Sequence, residues 1–439
     1  MNKLKINTIL LGAKTVHHLI KLTNAGEGTA LIGKLALKFC PDFIKEASSY
    51  IHKEKLVITG TNGKTTTCGL VSHVLKSNNH NIIANSKGAN MLTGVANAFA
   101  LSLNTNKHYD NCVIEADEAY LAQIQAHLNA DFILVTNLFR DQVDRYYDIN
   151  FTKQKIQEGI DRHKDIQLIL NADNPYVATL VSDKRPVFYG VKSVIDNTGT
   201  ISSDFSEENA TCSCGKELKY TKKFYAQQGH YHCDCGFSRP FVDYEADVIL
   251  EKDHSLIKLG DEEFKIPLSG LFNAYNALAA ITMLKEIGVT DIQKHLLTYK
   301  TTFGRSEIRD IKGHKTSIQL IKNPAGANQV IKNIDLDSNI LIIINDNYAD
   351  GRDISWINDT NFEHLALTKN KIIVSGLRAE DMAKRLTSAG LPGDKIIIEG
   401  DIKKAVDYVT TIAENNITIL PTYTALLTLN KLWKKYKEV

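Results

Sequence analysis

Between Lys55 and Tyr189, short runs of β-branched and aromatic residues alternate with stretches of helical period. LVITG (56–60), NII (81–83), CVIEA (112–116), FILVTN (132–137), LILNA (168–172) and PVFYG (186–190) read as strands, bounded by polar and turn residues. Thr65–Ser77 and Phe151–His163 carry a helix pattern between them. Strands alternating with crossover helices predict a mainly parallel, doubly wound sheet, so the fold class is α/β. At about 193–240 the pattern gives way to polar, Gly- and Cys-containing sequence without helical period, as an insertion would. Strand character returns near Ala246, and Leu271–Ile287 reads as a long helix. After Thr302 a second alternating series begins. SIQLI (317–321), ILIIIN (340–345), KIIVSG (371–376), KIIIEG (395–400) and ITILP (417–421) are expected as buried parallel strands, with helices at Ala379–Ser388, Ile402–Ile412 and Tyr423–Lys435. Ahead of both series, Ile6, Ile9, Leu10, Ala13, Val16 and Ile20 fall on one face of a helix. The expected organisation is a helical segment over 1–52, a central α/β domain over 53–302 with an insertion at 205–240, and a second α/β domain over 303–439.

Composition adds bounds. At roughly 100–200 residues per domain, a chain of 439 residues holds two to four. With 43% hydrophobic and 23% charged residues it has material for more than one core. A formal net charge of +2 gives no reason to expect nucleic acid as a partner. No apolar run approaches the roughly 20 residues that span a bilayer, and polar residues interrupt every apolar stretch of the N-terminus, unlike a signal peptide. Lys3, Lys5, Lys14 and Lys21 would let the first helix touch an anionic membrane surface, although docking onto its own domain is the primary expectation. The expected location is the cytoplasm, with peripheral contact at the inner membrane face as the secondary reading. Four of the seven cysteines share one short stretch, while Cys40, Cys68 and Cys112 are scattered. That distribution suits a reducing compartment and a metal site better than a disulfide framework.

The sharpest chemical signal is LVITGTNGKTTT (56–67). A buried strand runs into a Gly-containing turn, and a helix starts at Lys64 or Thr65. Inward-facing backbone N–H groups, a positive helix end and the lack of obstructing side chains make a phosphate cradle. Gly60, Thr61, Asn62, Gly63, Lys64, Thr65 and Thr66 are therefore the candidate ATP-binding loop, with Lys64 reaching the β/γ-phosphates and the Thr65 hydroxyl ligating Mg²⁺. The spacing departs from G-x-x-x-x-G-K-[ST], whose first Gly would fall on Ile58. Glu115 and Asp117 follow the strand at 112–116 on the expected strand-end face, which makes Glu115 a candidate magnesium ligand and catalytic residue.

Cys212-Ser-Cys214-Gly and Cys233-Asp-Cys235-Gly have the look of two zinc-ribbon knuckles, in which four thiolates take a structural Zn²⁺. Their C-x-C spacing is narrower than the usual C-x₂-C, and His230 or His232 could replace one thiolate. Lys216, Lys219, Lys222 and Lys223 nearby read as a solvated face. Farther on, DNYADGRD (346–353) places Asp346, Asn347, Asp350 and Asp353 beside a strand end, a composition that by itself also describes an ordinary turn.

The G-T-N-G-K-T-T loop resembles that of the Mur ligase superfamily, whose members phosphorylate a carboxylate with ATP and let an amine attack the acyl phosphate. The likeness continues in order through VTNLFRDQVDRY (135–146), LNADNP (170–175), LSGLFNAYNALAA (268–280) and FGRSE (303–307). It implies that Asn273 and Asn276 lie on the adenine side, that Arg305 approaches the phosphates, and that the C-terminal α/β domain is Rossmann-like. In amino-acid-adding members a metal-contacting His stands where this chain has Gln142, with Asp141 beside it, and a carbamylated Lys lies in the region of Lys153 and Lys155. Only about 50 residues precede the loop, against the sizeable UDP-binding domain of full-length members.

The four-cysteine insertion, IKNPAGANQV (321–330) and INDNYADGRDISWI (344–357) together resemble the MurT family. These are ligase subunits of lipid II isoglutaminyl synthase, paired with the glutaminase GatD. The resemblance implies ATP, Mg²⁺ and structural Zn²⁺ as cofactors, a GatD-like partner and lipid II as substrate. The implied reaction turns the α-carboxylate of D-glutamate into the amide of D-isoglutamine. Lys64 and Arg305 would stabilise charge on the transferred phosphoryl group. Asp350 would orient the partner's catalytic His, with Asp353 second in line. The alternative is a stand-alone ligase such as folylpolyglutamate synthase.

Overall fold

The computed structural model describes residues 3–22, 31–85, 89–139, 149–198, 209–300, 307–414 and 416–436. The chain divides into two compact units, the first running to Tyr299 and the second from Lys300.

The first unit opens with α1 (Lys3–Leu22), α2 (Leu31–Phe39) and α3 (Phe43–Ser48). The alternating series then gives β1 (Lys55–Thr59), α4 (Lys64–Ser77), β2 (Ile82–Ala84), α5 (Leu92–Ser102) and β3 (Asn111–Glu115). It continues with α6 (Leu121–Leu128), β4 (Phe132–Val135), α7 (Ile149–Ile160), β5 (Gln167–Asn171) and β6 (Val187–Asp196). A hairpin of β7 (Lys219–Tyr225) and β8 (Gln228–His232) is set into the chain as a separate two-stranded sheet. After it come β9 (Tyr244–Leu250), β10 (Ser255–Leu259), β11 (Glu262–Ile266), α8 (Leu271–Glu286) and α9 (Ile292–Leu296).

Nine of these strands form one sheet in the order β11-β10-β9-β6-β5-β4-β1-β3-β2. It is parallel from β9 to β2, and β10 and β11 add an antiparallel edge. β1 sits centrally between β3 and β4, and Leu56, Val57 and Ile58 are fully buried, as a strand covered by helices on both faces requires. The N-terminal helices belong to this unit: Ile6, Leu10, Ala13, Ile32, Phe43 and Ile44 join the same apolar core as Val57 and Ile114. Docking of the first helix onto its own domain is thus what the structure shows.

The second unit contains β12 (Glu307–Ile311), β13 (His314–Ile318), α10 (Pro324–Lys332), β14 (Asn339–Ile343), β15 (Ile372–Ser375) and α11 (Ala379–Ser388). It closes with β16 (Ile396–Ile398), α12 (Ile402–Ile412), β17 (Ile417–Pro421) and α13 (Tyr423–Tyr436). Its sheet runs β12-β13-β17-β14-β15-β16, parallel from β13 to β16. One strand differs from the expected position. SIQLI was expected as a parallel strand over 317–321, whereas β13 covers His314–Ile318 and also pairs antiparallel with β12. The two form a hairpin through Lys312 and Gly313, both at positive φ, and that turn fixes the register ahead of the apolar run.

Candidate functional site

The loop after β1 is shaped by two glycines. Gly60 lies at φ +123° and Gly63 at φ +85°, a region open to glycine at little cost. A Cβ on Gly60 would stand 2.3 Å from Thr136 Oγ1, and one on Gly63 would stand 1.9 Å from Asn276 Oδ1. Residues 60–62 are stitched to the end of β4. Thr61 N donates to Asn137 O at 2.9 Å and Asn62 N to Asn137 Oδ1 at 2.9 Å. Thr136 Oγ1 and Asn137 Nδ2 both donate to Asn62 O, at 2.7 and 3.1 Å. Gly63 has no side chain to cap α4, and the positive end of that helix opens at the loop, where an anion is favoured.

Lys64 is 7% exposed, and its ammonium is gathered inward. It donates to Gly60 O and Thr61 O and forms an ion pair with Glu118 at 3.1 Å. Glu118, itself 4% exposed, is a residue the sequence reading passed over. Its signal was the third acid of EADE (115–118), on the approach to α6.

Glu115 ends β3 with 4% exposure. Its backbone is clamped by Asn85, whose Oδ1 accepts from Glu115 N and whose Nδ2 donates to Glu115 O, both at 2.8 Å. Among the described residues its carboxylate takes one long hydrogen bond, from Asn90 at 3.4 Å. A buried carboxylate with so little satisfaction suits a cation ligand. Asp117, by contrast, accepts from Ala119 N and closes a turn. Thr65 is half-buried in the first turn of α4.

Asn273 and Asn276 lie on the first turns of α8, both buried. Asn273 Nδ2 donates to Ser269 O at 2.8 Å, and Asn276 packs against Gly63. Between them, Tyr275 donates its hydroxyl to Asp173 Oδ2 at 2.6 Å. Asp173 is fully buried, and also takes the Arg239 Nε at 2.6 Å and the Val191 N–H at 2.7 Å. Burial pushes its carboxyl up, against the opposing pull of Arg239. The rest of LNADNP is structural as well: Asn171 Nδ2 donates to Thr136 O and Asn174 Nδ2 to Leu138 O, bracing the segment that holds the loop. Lys155 pairs with Glu158 at 2.8 Å, while burial lowers the Lys153 ammonium. Arg305, Asp141 and Gln142 lie outside the described residues.

Cys212, Cys214, Cys233 and Cys235 converge, with all four sulfurs within 4.8 Å of one another. Cys212 Sγ to Cys235 Sγ and Cys214 Sγ to Cys233 Sγ are each 3.6 Å. A tetrahedron with Zn–S of about 2.3 Å has sulfurs about 3.8 Å apart, so the donor set fits that ion. The two knuckles match: Gly215 N donates to Cys212 O and Gly236 N to Cys233 O, and each glycine has positive φ. The Cys212 thiol is lowered to about 7, first by the N–H of Cys214 and then by neighbouring thiols. His230 is engaged elsewhere, its Nε2 lying 2.8 Å from Val191 O. The module packs through Ala210, Leu218 and Tyr231 onto Tyr176 and Ala178, and Arg239 ties it to Asp173.

In the second unit Asp350 is 6% exposed. Its carboxylate accepts from Thr424 N at 2.7 Å, Thr424 Oγ1 at 2.5 Å and Asn347 N at 3.2 Å, bridging the loop after β14 to the first turn of α13. Asp353 is half-buried and accepts from the N–H and hydroxyl of Ser355. Asp346 pairs with Arg378.

Two family models match: "Mur ligase middle domain" over 58–284 and "MurT ligase C-terminal" over 320–426. The chain is 36% identical over 427 residues to the subunit MurT of lipid II isoglutaminyl synthase (glutamine-hydrolyzing) from Staphylococcus aureus (strain COL), covering 94% of this chain and 95% of that protein. The protein of the same name from Streptococcus pneumoniae (strain ATCC BAA-255 / R6) is 33% identical, covering 98% and 97%. Among solved structures, a pseudomurein peptide ligase type C from Methanothermus fervidus superposes with a TM-score of 0.68 at 22% identity, over 90% of this chain and 81% of that one. The fold and phosphate loop are thus those of a Mur-type ATP-dependent ligase. Within that superfamily, the chain belongs to the MurT family.

Proposed function

We propose that the chain is the ligase subunit of a two-subunit glutamine amidotransferase. It activates the α-carboxylate of D-glutamate in lipid II, and ammonia from a GatD-like glutaminase converts it to D-isoglutamine. The observation that carries this reading is the joining of a glycine-shaped phosphate loop, with Lys64 buried at its helix end, to MurT likeness over nearly the whole chain.

In this reading the first-turn N–H groups of α4 hold the ATP phosphates, and Lys64 exchanges Glu118 for the β/γ-phosphates. Thr65 and Glu115 would hold Mg²⁺, which supplies positive charge against the phosphate oxygens. A substrate carboxylate oxygen attacks the γ-phosphorus, and ADP leaves. Ammonia then adds to the acyl carbon, loses a proton, and phosphate departs. The nucleophile is ammonia, so no pocket for an incoming amino acid is needed. Asn273 and Asn276 flank the base, and Arg305 assists at the phosphates. The four cysteines would hold a structural Zn²⁺, and Asp350 would steady the partner's imidazole. The stand-alone amino-acid-adding alternative lacks comparable support, because the C-terminal match is to the MurT ligases in particular.

The test is co-expression with a glutaminase partner and mass analysis of lipid II. Glutamine and ATP should convert one carboxylate to an amide. Lys64→Ala should cut turnover by on the order of 100-fold or more, as loss of a charge-stabilising group does. Undiminished turnover in that variant, or transfer of free glutamate in place of ammonia, would overturn the reading.

A further inference from the structure

We propose that the outer face of α1 and α2 docks this protein on the surface of an anionic lipid bilayer. The two helices bury one stripe in the core through Ile6, Leu10, Ala13, Ile32 and Ala36, but their apolar surface does not end there. A cleft of about 460 Å³ lies between them, lined by Ile9, Gly12, Val16, Ile32, Leu35 and Phe39, with almost no polar surface. Phe39, which lines it, is 70% exposed, and elsewhere on the same two helices Leu11 is 69% exposed, Leu19 55% and Leu31 49%. These are four of the fifteen large apolar side chains exposed among the described residues, concentrated on two short helices. Gly12, Val16 and Leu19 recur at helical spacing on one side of α1, with the polar Thr8 one turn ahead of them.

Charge decides the occupant. The chain as a whole is balanced, with 52 Lys and Arg against 50 Asp and Glu. Neither α1 nor α2 contains a single acid, while they carry Lys3, Lys5, Lys14, Lys21, Lys34 and Lys38. Lys14, Lys34 and Lys38 are exposed. A second copy of this face would meet lysines with lysines. An anionic bilayer offers acyl chains to the leucines and Phe39, and headgroup charge to the lysines. Among the described residues no helix is long and apolar enough to cross a membrane, so the contact lies in the plane of the interface. This inference stands on the two helices alone, apart from the amidation reading, although a lipid-linked substrate would be met at such a surface.

The experiment is co-sedimentation of the full chain with vesicles of phosphatidylcholine, alone or with phosphatidylglycerol, at low and high salt. Binding should require phosphatidylglycerol and weaken with salt. Leu11→Gln with Phe39→Gln should lower partitioning at least tenfold, and Lys14→Glu with Lys38→Glu should lower it by roughly fivefold or more per lysine. Thermal melts and ATP-dependent amidation in detergent micelles should stay unchanged, which separates failure of docking from failure of the ligase reading. Equal binding to neutral vesicles, no binding to either, or a dimer that Phe39→Gln dissociates in place of vesicle binding would overturn the proposal.

Discussion

Gly63 meets two demands at once, a backbone at φ +85° and room for Asn276. Ala there would pay roughly 1–2 kcal/mol for the left-handed conformation and would drive Asn276 off the loop. Gly63→Ala should therefore weaken ATP binding more than tenfold in a calorimetric titration and lower the melting temperature. The loop was legible in the sequence because glycine spacing is a local property. Its second support was not: Asn137, Thr136 and Asn85 come from other strands, and only the parallel sheet brings them to Asn62 and Glu115. Glu118 was missed for the same reason, since its pairing with Lys64 spans 54 positions of sequence.

At the scale of elements, the four-cysteine module is a small lobe whose apolar core, among the described residues, consists of Ala210, Leu218 and Tyr231 beside two of its cysteines, with Tyr220 and Phe237 packed against them. So little burial leaves its stability to the metal. Purified protein should contain stoichiometric zinc. Chelation or Cys212→Ser should release it and expose residues 209–238 to limited proteolysis. Thiolates rather than thiols ligate, so zinc uptake by the metal-free protein should weaken as pH drops below about 7, where the free Cys212 thiol regains its proton. The lobe is also tied to α8, because Arg239 and Tyr275 share the Asp173 carboxylate. Arg239→Met would strand a buried carboxylate, at roughly 3–5 kcal/mol. Urea denaturation should show that loss, while Tyr275→Phe, which keeps the ion pair, should cost much less. The alternating strands and helices of both units were readable from apolar period. The β12–β13 hairpin was not, because its register comes from a turn at Lys312–Gly313 and not from the run SIQLI.

For the whole molecule, the decisive question is where the nitrogen comes from. Asp350→Asn should abolish glutamine-dependent amidation in the two-subunit complex and spare turnover with ammonium salts. Equal loss with both donors would assign Asp350 to the stability of its own unit, where it already binds Thr424 and Asn347. By itself the sequence determined the α/β class, the phosphate loop and the four-thiol cluster, because each is written in residues a few positions apart. It also carried the family likeness, through motifs in a fixed order. Tertiary structure decided what the buried polar groups do. Glu118 takes the Lys64 ammonium, Asp173 joins two elements, and Asp350 bridges β14 to α13. A buried charge has to find its partner wherever the fold brings one, and that distance through space is not written in distance along the chain.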